Sequence, residues 1–159
     1  VAGNKFDQAI MDYVKKKYSL FIGEQTAEAI KIEVGSALPI KDRLEYHLRG
    51  RDLVSGLPRD LVMNSNEVAE ALNPHLLDIA SSVQNVFNNT PPELVADIMG
   101  KGIIVSGGGG QLRYIDEFFK RMTGVQTYVA EDSLFCVAKG TGLILNHLDV
   151  YKRTLLNKR

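Results

Sequence analysis

Ile103-Ile104-Val105-Ser106-Gly107-Gly108-Gly109-Gly110 is the stretch that decides the fold. Three consecutive apolar residues read as a short strand of a sheet covered on both faces. The strand runs into four glycines, then into a helical pattern with Leu112, Ile115, Phe119 and Met122 on one face. Glycine lets a backbone come within contact distance of a ligand and permits positive φ. The helix that follows adds oriented N–H groups. Ligands of open α/β sheets gather beyond the carboxyl ends of strands, where this loop falls. A tight turn that needs unusual dihedrals accounts for the same residues equally well. The run is not a P-loop, since no Gly-Lys-Ser/Thr follows, and the dinucleotide fingerprint spaces its glycines differently.

Outward from the loop, Gln126-Thr127-Tyr128-Val129 reads as a second short strand. A long helix from Ser133 to about His147 follows, carrying Leu134, Val137, Ala138, Thr141, Leu145 and Leu148. On the other side, Thr90-Pro91-Pro92-Glu93 announces a helix with a Thr cap and Pro at its first position. Pro74 is expected to start another, with Leu76, Ile79, Ala80, Val83 and Phe87 on one face. Asn64-x-x-Glu67 is a capping box. Residues 43–63 read as short strands at 44–48, 52–54 and 60–63, punctuated by Gly50, Gly56 and Pro58, in a hairpin or small meander. The chain opens with helical spacing at Phe6, Ala9, Ile10, Tyr13 and Val14, closed by Lys15, Lys16 and Lys17. A second helix spans about Glu24 to Val34, between Gly23 and Gly35.

The order implies an α/β core at both ends, 1–27 and 90–150, with a smaller α+β lobe inserted over 28–89 and a basic tail at 151–159. Within the second helix, Glu28 and Lys31 share a face. They form either a surface ion pair or a carboxylate and an ammonium that hold the edge of a sugar.

Composition excludes several functions. Hydrophobic residues make up 45% of the 159 residues, enough for a core without staples. Lys plus Arg equals Asp plus Glu at 19 each, so no global field attracts nucleic acid. Lys152, Arg153, Lys158 and Arg159 form one basic cluster, a solvated tail or a contact for anionic lipid or a partner. Cys136 is the only cysteine, which precludes an intrachain disulfide and suits a reducing compartment; a buried, inert thiol is expected there. His47, His75 and His147 share no metal-ligand spacing, so no metal site is expected in this chain. Asn88-Asn89-Thr90 matches a glycosylation sequon but carries no meaning without a signal peptide. No apolar run reaches membrane-spanning length. The opening Val1-Ala2-Gly3-Asn4 lacks an initiator Met, and part of the function is expected to lie upstream.

The residues resemble a known family. The resemblance rests on Val1–Asp7, Gly23–Ser36, Asn64-Ser65-Asn66-Glu67, Pro91-Pro92-Glu93-Leu94, Ser106–Gly109 and Ala130-Glu131-Asp132-x-Leu134-x-Cys136-Val137-Ala138-x-Gly140. In order and spacing they are similar to the MreB family of bacterial actins, which maintain rod shape. The resemblance implies an actin/heat-shock-chaperone/sugar-kinase-like (ribonuclease H-like) fold, of which this chain would be most of domain II with its small subdomain, an incomplete fold. It implies that Glu28 and Lys31 border ribose and adenine, that Gly107, Gly108 and Gly109 form the adenosine loop, and that Asp132 begins the segment backing that loop. Gly110 and Gln111 depart from the Ala and Leu more common there, and Ala2 replaces a usual Gly. The phosphate loops and the acid that positions the attacking water have no counterpart here, so no catalytic residue is assigned. By the same resemblance the complete protein would bind ATP with Mg2+ as a slow, polymerisation-coupled ATPase, and this stretch alone would be inactive. It would assemble head to tail with itself, bind a RodZ-type membrane anchor and cell-wall elongation proteins, and lie in the cytoplasm on the inner face of the cell membrane. The alternatives are an FtsA- or ParM-like filament protein, or a sugar or acetate kinase.

Overall fold

The computed structural model describes residues 3–148 and 150–151; the basic cluster Lys152, Arg153, Lys158 and Arg159 lies outside them. Helix α1 (Gly3–Tyr18) buries Phe6, Ile10 and Val14, one stripe at helical spacing. A two-residue strand β1 (Leu20–Phe21) leads to α2 (Glu24–Val34), which turns Ala27, Ile30 and Val34 inward. The hairpin β2 (Glu45–Asp52) and β3 (Pro58–Asn64) follows, then α3 (Ser65–Asn88) and α4 (Pro92–Lys101). Strand β4 (Ile103–Val105), α5 (Ile115–Thr123), β5 (Thr127–Val129) and α6 (Cys136–Asn146) complete the described chain.

The strands form two sheets, an antiparallel one in the order β1-β2-β3 and a parallel pair β4-β5. One hydrophobic core joins α1, α2, α3, α5 and the antiparallel sheet, with Ile10, Leu20, Ile30, Met63, Leu72 and Leu76 fully enclosed. The hairpin reading holds, but Gly50 runs through β2 instead of breaking it. A Cβ there would lie 2.6 Å from the Phe21 carbonyl oxygen, so glycine is what lets β1 lie so close. The turn is braced by Asp52, whose Oδ1 accepts from the N–H groups of Val54 and Ser55, both at 2.9 Å. Those two bonds, led by Ser55, together with the Arg59 guanidinium, hold its carboxyl below the usual range.

Two helical expectations are corrected. Pro74 does not start a helix but sits inside α3, which runs unbroken for 24 residues. The ring costs a backbone bond, and burial of Ala71, Leu72, Leu76 and Ala80 on either side of it outweighs that cost. Thr90 does not cap α4: its hydroxyl donates back to the Val86 carbonyl at 2.7 Å, and Pro91 takes the cap position. The thiol of Cys136 is partly exposed rather than buried, because α6 buries none of its residues. The parallel pair is likewise not covered on both faces by the described residues, with Ile104 71% exposed.

The capping box forms as read, and it does more than cap. Asn64 Oδ1 accepts from the Asn66 and Glu67 N–H groups, and Glu67 Oε2 accepts from the Asn64 N–H at 2.9 Å. Glu67 Oε1 also accepts from Lys17 Nζ at 2.9 Å and from the Tyr18 hydroxyl. One carboxylate thus ties the end of α1 to the start of α3. Burial pushes Glu67 up, but Tyr18, the Asn64 N–H and Lys17 outweigh it and hold the group below its ordinary value. Burial and then Glu67 push Tyr18 up to about 12. The depressed Glu67 value means its stabilisation is present above the ordinary carboxyl range and lost as pH falls through the folded value. The raised Tyr18 value means the opposite limb: stability is intact below about 10 and lost as pH rises towards about 12. Denaturant unfolding across pH should show both limbs. Glu67→Ala should remove the acid limb, shrink the alkaline one to the part that burial of Tyr18 sustains, and lower stability by about 2–3 kcal/mol, from a lost cap plus two charge-assisted bonds.

Candidate functional site

Strand β4 delivers the chain to the glycine run, where the four glycines have different reasons to be there. Gly107 holds φ +86°, a region side chains rarely adopt, and its N–H donates to the Ser133 carbonyl at 2.7 Å. Gly110 is buried, and a Cβ on it would press on Val105 Cγ1 at 3.3 Å. Gly108 and Gly109 lie in a single turn of 3₁₀ helix and have no positive φ. Among the described residues, a Cβ on Gly108 would meet only Leu134 Cδ1 at 3.6 Å, and one on Gly109 would meet nothing within 4 Å. Neither strain nor packing requires glycine at these two positions.

Helix α2 is fastened opposite the loop. After Val34 the chain forms a parallel bridge between Ser36 and Arg113, and the Ala37 N–H donates to the Arg113 carbonyl at 2.8 Å. Gly35 makes this approach possible: a Cβ would lie 2.1 Å from the Lys31 carbonyl oxygen and 2.9 Å from Leu112 Cδ1. Between loop and helix lies a cleft of about 430 Å³, within the range of small-molecule sites. Glu28, Lys31 and Ile32 of α2 line one side, and Gly108, Gly109, Gln111 and Leu112 of the loop another; Gly3, Phe6 and Leu134 close it.

Of the five residues singled out from the sequence, Glu28, Lys31, Gly108 and Gly109 line this one cleft. Gly107 does not line it but sets the turn that presents the next two. The segment from Asp132 backs the loop, through the Ser133 carbonyl and the Leu134 side chain. Asp132 itself has φ +49° and pairs with Lys139. The Glu28–Lys31 ion pair does not form: Lys31 Nζ lies 2.8 Å from Asp7 Oδ1 across the α1–α2 seam, with both side chains mostly buried. Among the described residues Glu28 has no ion-pair partner. Asp7, Gln111, Phe6, Ile32 and Leu134 were not assigned to the site from the sequence, although Asp7 falls in a segment that carries the family resemblance and Gln111 stands out as a departure from it. Asp7 was findable, as an acid three and seven residues before Ile10 and Val14 on a buried stripe. Among the described residues no group of three or more His, Cys, Asp or Glu is placed to hold a metal ion, and no helix is long and apolar enough to cross a membrane.

A cleft with apolar walls, one carboxylate without an ion-pair partner among the described residues, a neutralised ammonium and one bare backbone turn suits a flat apolar ring joined to a hydroxylated group. The architecture is the α/β, actin-like fold. It superposes on the structures of MreB5 of Spiroplasma citri bound to ADP and to AMPPNP, with TM-scores of 0.90 and 0.91 at 38% identity. These cover 99% and 98% of this chain and 47% of each MreB5 chain. The MamK double helical filament shares the fold alone, at 20% identity and TM-score 0.66. The MreB/Mbl protein family matches residues 1–153, and the chain belongs to it. It is 46% identical to the cell shape-determining protein Mbl of Bacillus subtilis, over 94% of this chain and 45% of Mbl. It is 43% identical to the cell shape-determining protein MreB of Escherichia coli, over 99% of this chain and 46% of MreB. The chain therefore spans about half the length of these relatives.

Proposed function

We propose that this chain forms the sugar-and-base wall of the nucleotide cleft of an MreB-like bacterial actin, which binds ATP and polymerises into filaments that organise cell-wall synthesis and rod shape. The observation that carries this reading is the pair Gly108–Gly109, glycines that neither dihedral strain nor packing demands, open to the same cleft as Glu28 and Lys31. Glu28 would accept from ribose hydroxyls, Lys31 would flank the sugar, and the bare loop would lie against the adenosine. The similar Spiroplasma citri MreB5 is solved with ADP and with AMPPNP, which supports an adenine nucleotide as the ligand. Mg2+ would accompany the phosphates, and its ligands would come from the half of the relatives' length that this chain does not span.

No residue of this chain is assigned to hydrolysis. The complete protein would be a slow ATPase coupled to head-to-tail assembly. Residues 28–89 would be the smaller lobe of its second domain, set on a larger one built from 1–27 and 90–150. A RodZ-type anchor, cell-wall elongation proteins and the inner face of the cell membrane are the proposed surroundings. Family membership leaves the FtsA-, ParM- and kinase-like alternatives without support. The test is titration of the intact gene product with ADP and ATP, together with sedimentation. Saturable binding and ATP-dependent pelleting are expected; absence of saturable binding would overturn the reading.

A further inference from the structure

Asp7 occupies a costly position. It lies on the buried side of α1, in the stripe of Phe6, Ile10 and Val14, and is 9% exposed. Its Oδ1 is shut off from solvent and accepts no hydrogen bond from the described residues. The Lys31 ammonium stands 2.8 Å away, close enough to balance the charge but not aligned to donate. A buried carboxylate held by charge alone is expensive, and an apolar residue would have continued the stripe more cheaply. Asp7 neither caps a helix nor braces a turn among the described residues. What it does do is hold Lys31.

Lys31 has two carboxylates within reach. Glu28 precedes it by one helical turn on the same face, and both residues line the cleft. Asp7 and Glu28 also border a second cavity of about 200 Å³ between α1 and α2. An ammonium on a four-carbon stem pairs with one acid or the other, and in this structure it has Asp7. We infer that Asp7 is a positioning residue for nucleotide recognition: by keeping Lys31 against α1, it leaves the Glu28 carboxylate unneutralised as the acceptor for the vicinal hydroxyls of a ribose. The inference rests on the nucleotide reading given above. It also gives the three charges a net value of −1 at this end of the cleft, which suits a neutral diol and repels a phosphate. Removing Asp7 frees the ammonium to fold onto Glu28, so that the sugar meets an acceptor already occupied.

The test compares ADP with 2′-deoxy-ADP on the intact protein, by calorimetric titration. The natural protein should prefer ADP about tenfold, the worth of one charge-assisted bond. Asp7→Asn should weaken ADP about tenfold, leave 2′-deoxy-ADP nearly unchanged, and so abolish the preference. Asp7→Asn combined with Lys31→Met should restore the ratio of the two affinities, because Glu28 is free again, while both affinities fall together for want of the flanking ammonium. Equal weakening of both nucleotides by Asp7→Asn, with no restoration in the double variant, is the signature of a merely structural role and overturns the inference. If Asp7→Asn does not fold, Asp7→Leu decides in its place: the apolar side chain continues the buried stripe of α1, still frees Lys31, and must lose the preference. Glu28→Gln separates the two levels. Loss of preference there with its retention in Asp7→Asn sinks only the role of Asp7; unchanged preference in Glu28→Gln sinks the sugar-binding reading of the cleft as well.

Discussion

Gly109→Val is expected to weaken ADP binding by the intact protein about 10- to 100-fold, the scale on which an overpacked contact of about 1–3 kcal/mol is felt in affinity. The same change should leave the denaturant midpoint nearly where it was. The two halves of this expectation come from one geometric fact: beyond its chain neighbours, a Cβ at position 109 has no atom of the described residues within 4 Å, and φ there is not positive. Nothing in the folded chain resists the side chain, and a stiffer residue slightly disfavours the unfolded state. The only space it takes is the cleft. Gly109→Ala, which adds a single carbon, should fall between the two. A valine variant that binds ADP as the natural protein does would mean that no ligand approaches this turn. A valine variant that unfolds would mean that the glycine serves the backbone after all.

Gly35→Ala should behave in the opposite way, costing about 3 kcal/mol or more in stability and losing the site as a consequence. The added Cβ would lie 2.1 Å from the Lys31 carbonyl oxygen and 2.9 Å from Leu112 Cδ1. The leucine methyl can give way, but the carbonyl belongs to the last turn of α2 and accepts the Gly35 N–H. Relief therefore requires Gly35 to move away from α2, and with it the Ser36–Arg113 bridge that fastens the helix to the loop. Denaturant unfolding should show the loss directly. Nucleotide affinity of the fraction that still folds should fall too, because Lys31 and Leu112 are both cleft residues. An alanine variant of unchanged stability would show that the helix end shifts freely, and that its docking is not what shapes the cleft.

The parts of this molecule that were legible in its sequence are those decided within a few residues. The bounds of α2 follow from Gly23 and Gly35, the start of α3 from Asn64 and Glu67, and the loop after β4 from its glycines. What was not legible depends on atoms distant in sequence. Gly50 reads as a breaker until β1 is seen lying against it. Pro74 reads as a helix start until the burial on both sides of it is counted. Within the cleft, Glu28, Lys31 and the glycines were found by pattern, whereas the partner of Lys31 was not. Spacing along one helix pointed to Glu28, while the fold supplied Asp7 from another helix. Cys136 reads as a buried thiol from its apolar neighbours, but α6 buries none of its residues, and Val137 and Leu145 stay largely exposed among the described residues.

Pro74 has a mechanical side as well. Its ring offers no N–H, so the Glu70 carbonyl lacks its helical donor and α3 is missing one rung near its middle. The half before that gap continues directly from β3 and is tied to α1 through Glu67. The half after it reaches α5, where the Gln84 side-chain amide donates to the Met122 carbonyl at 2.7 Å. A straight helix resists flexing because each rung must stretch; here one is already absent, and kinks concentrate at such places. Residues 70–74 are therefore where α3 would bend at least cost, because one of the rungs that would have to stretch is already missing.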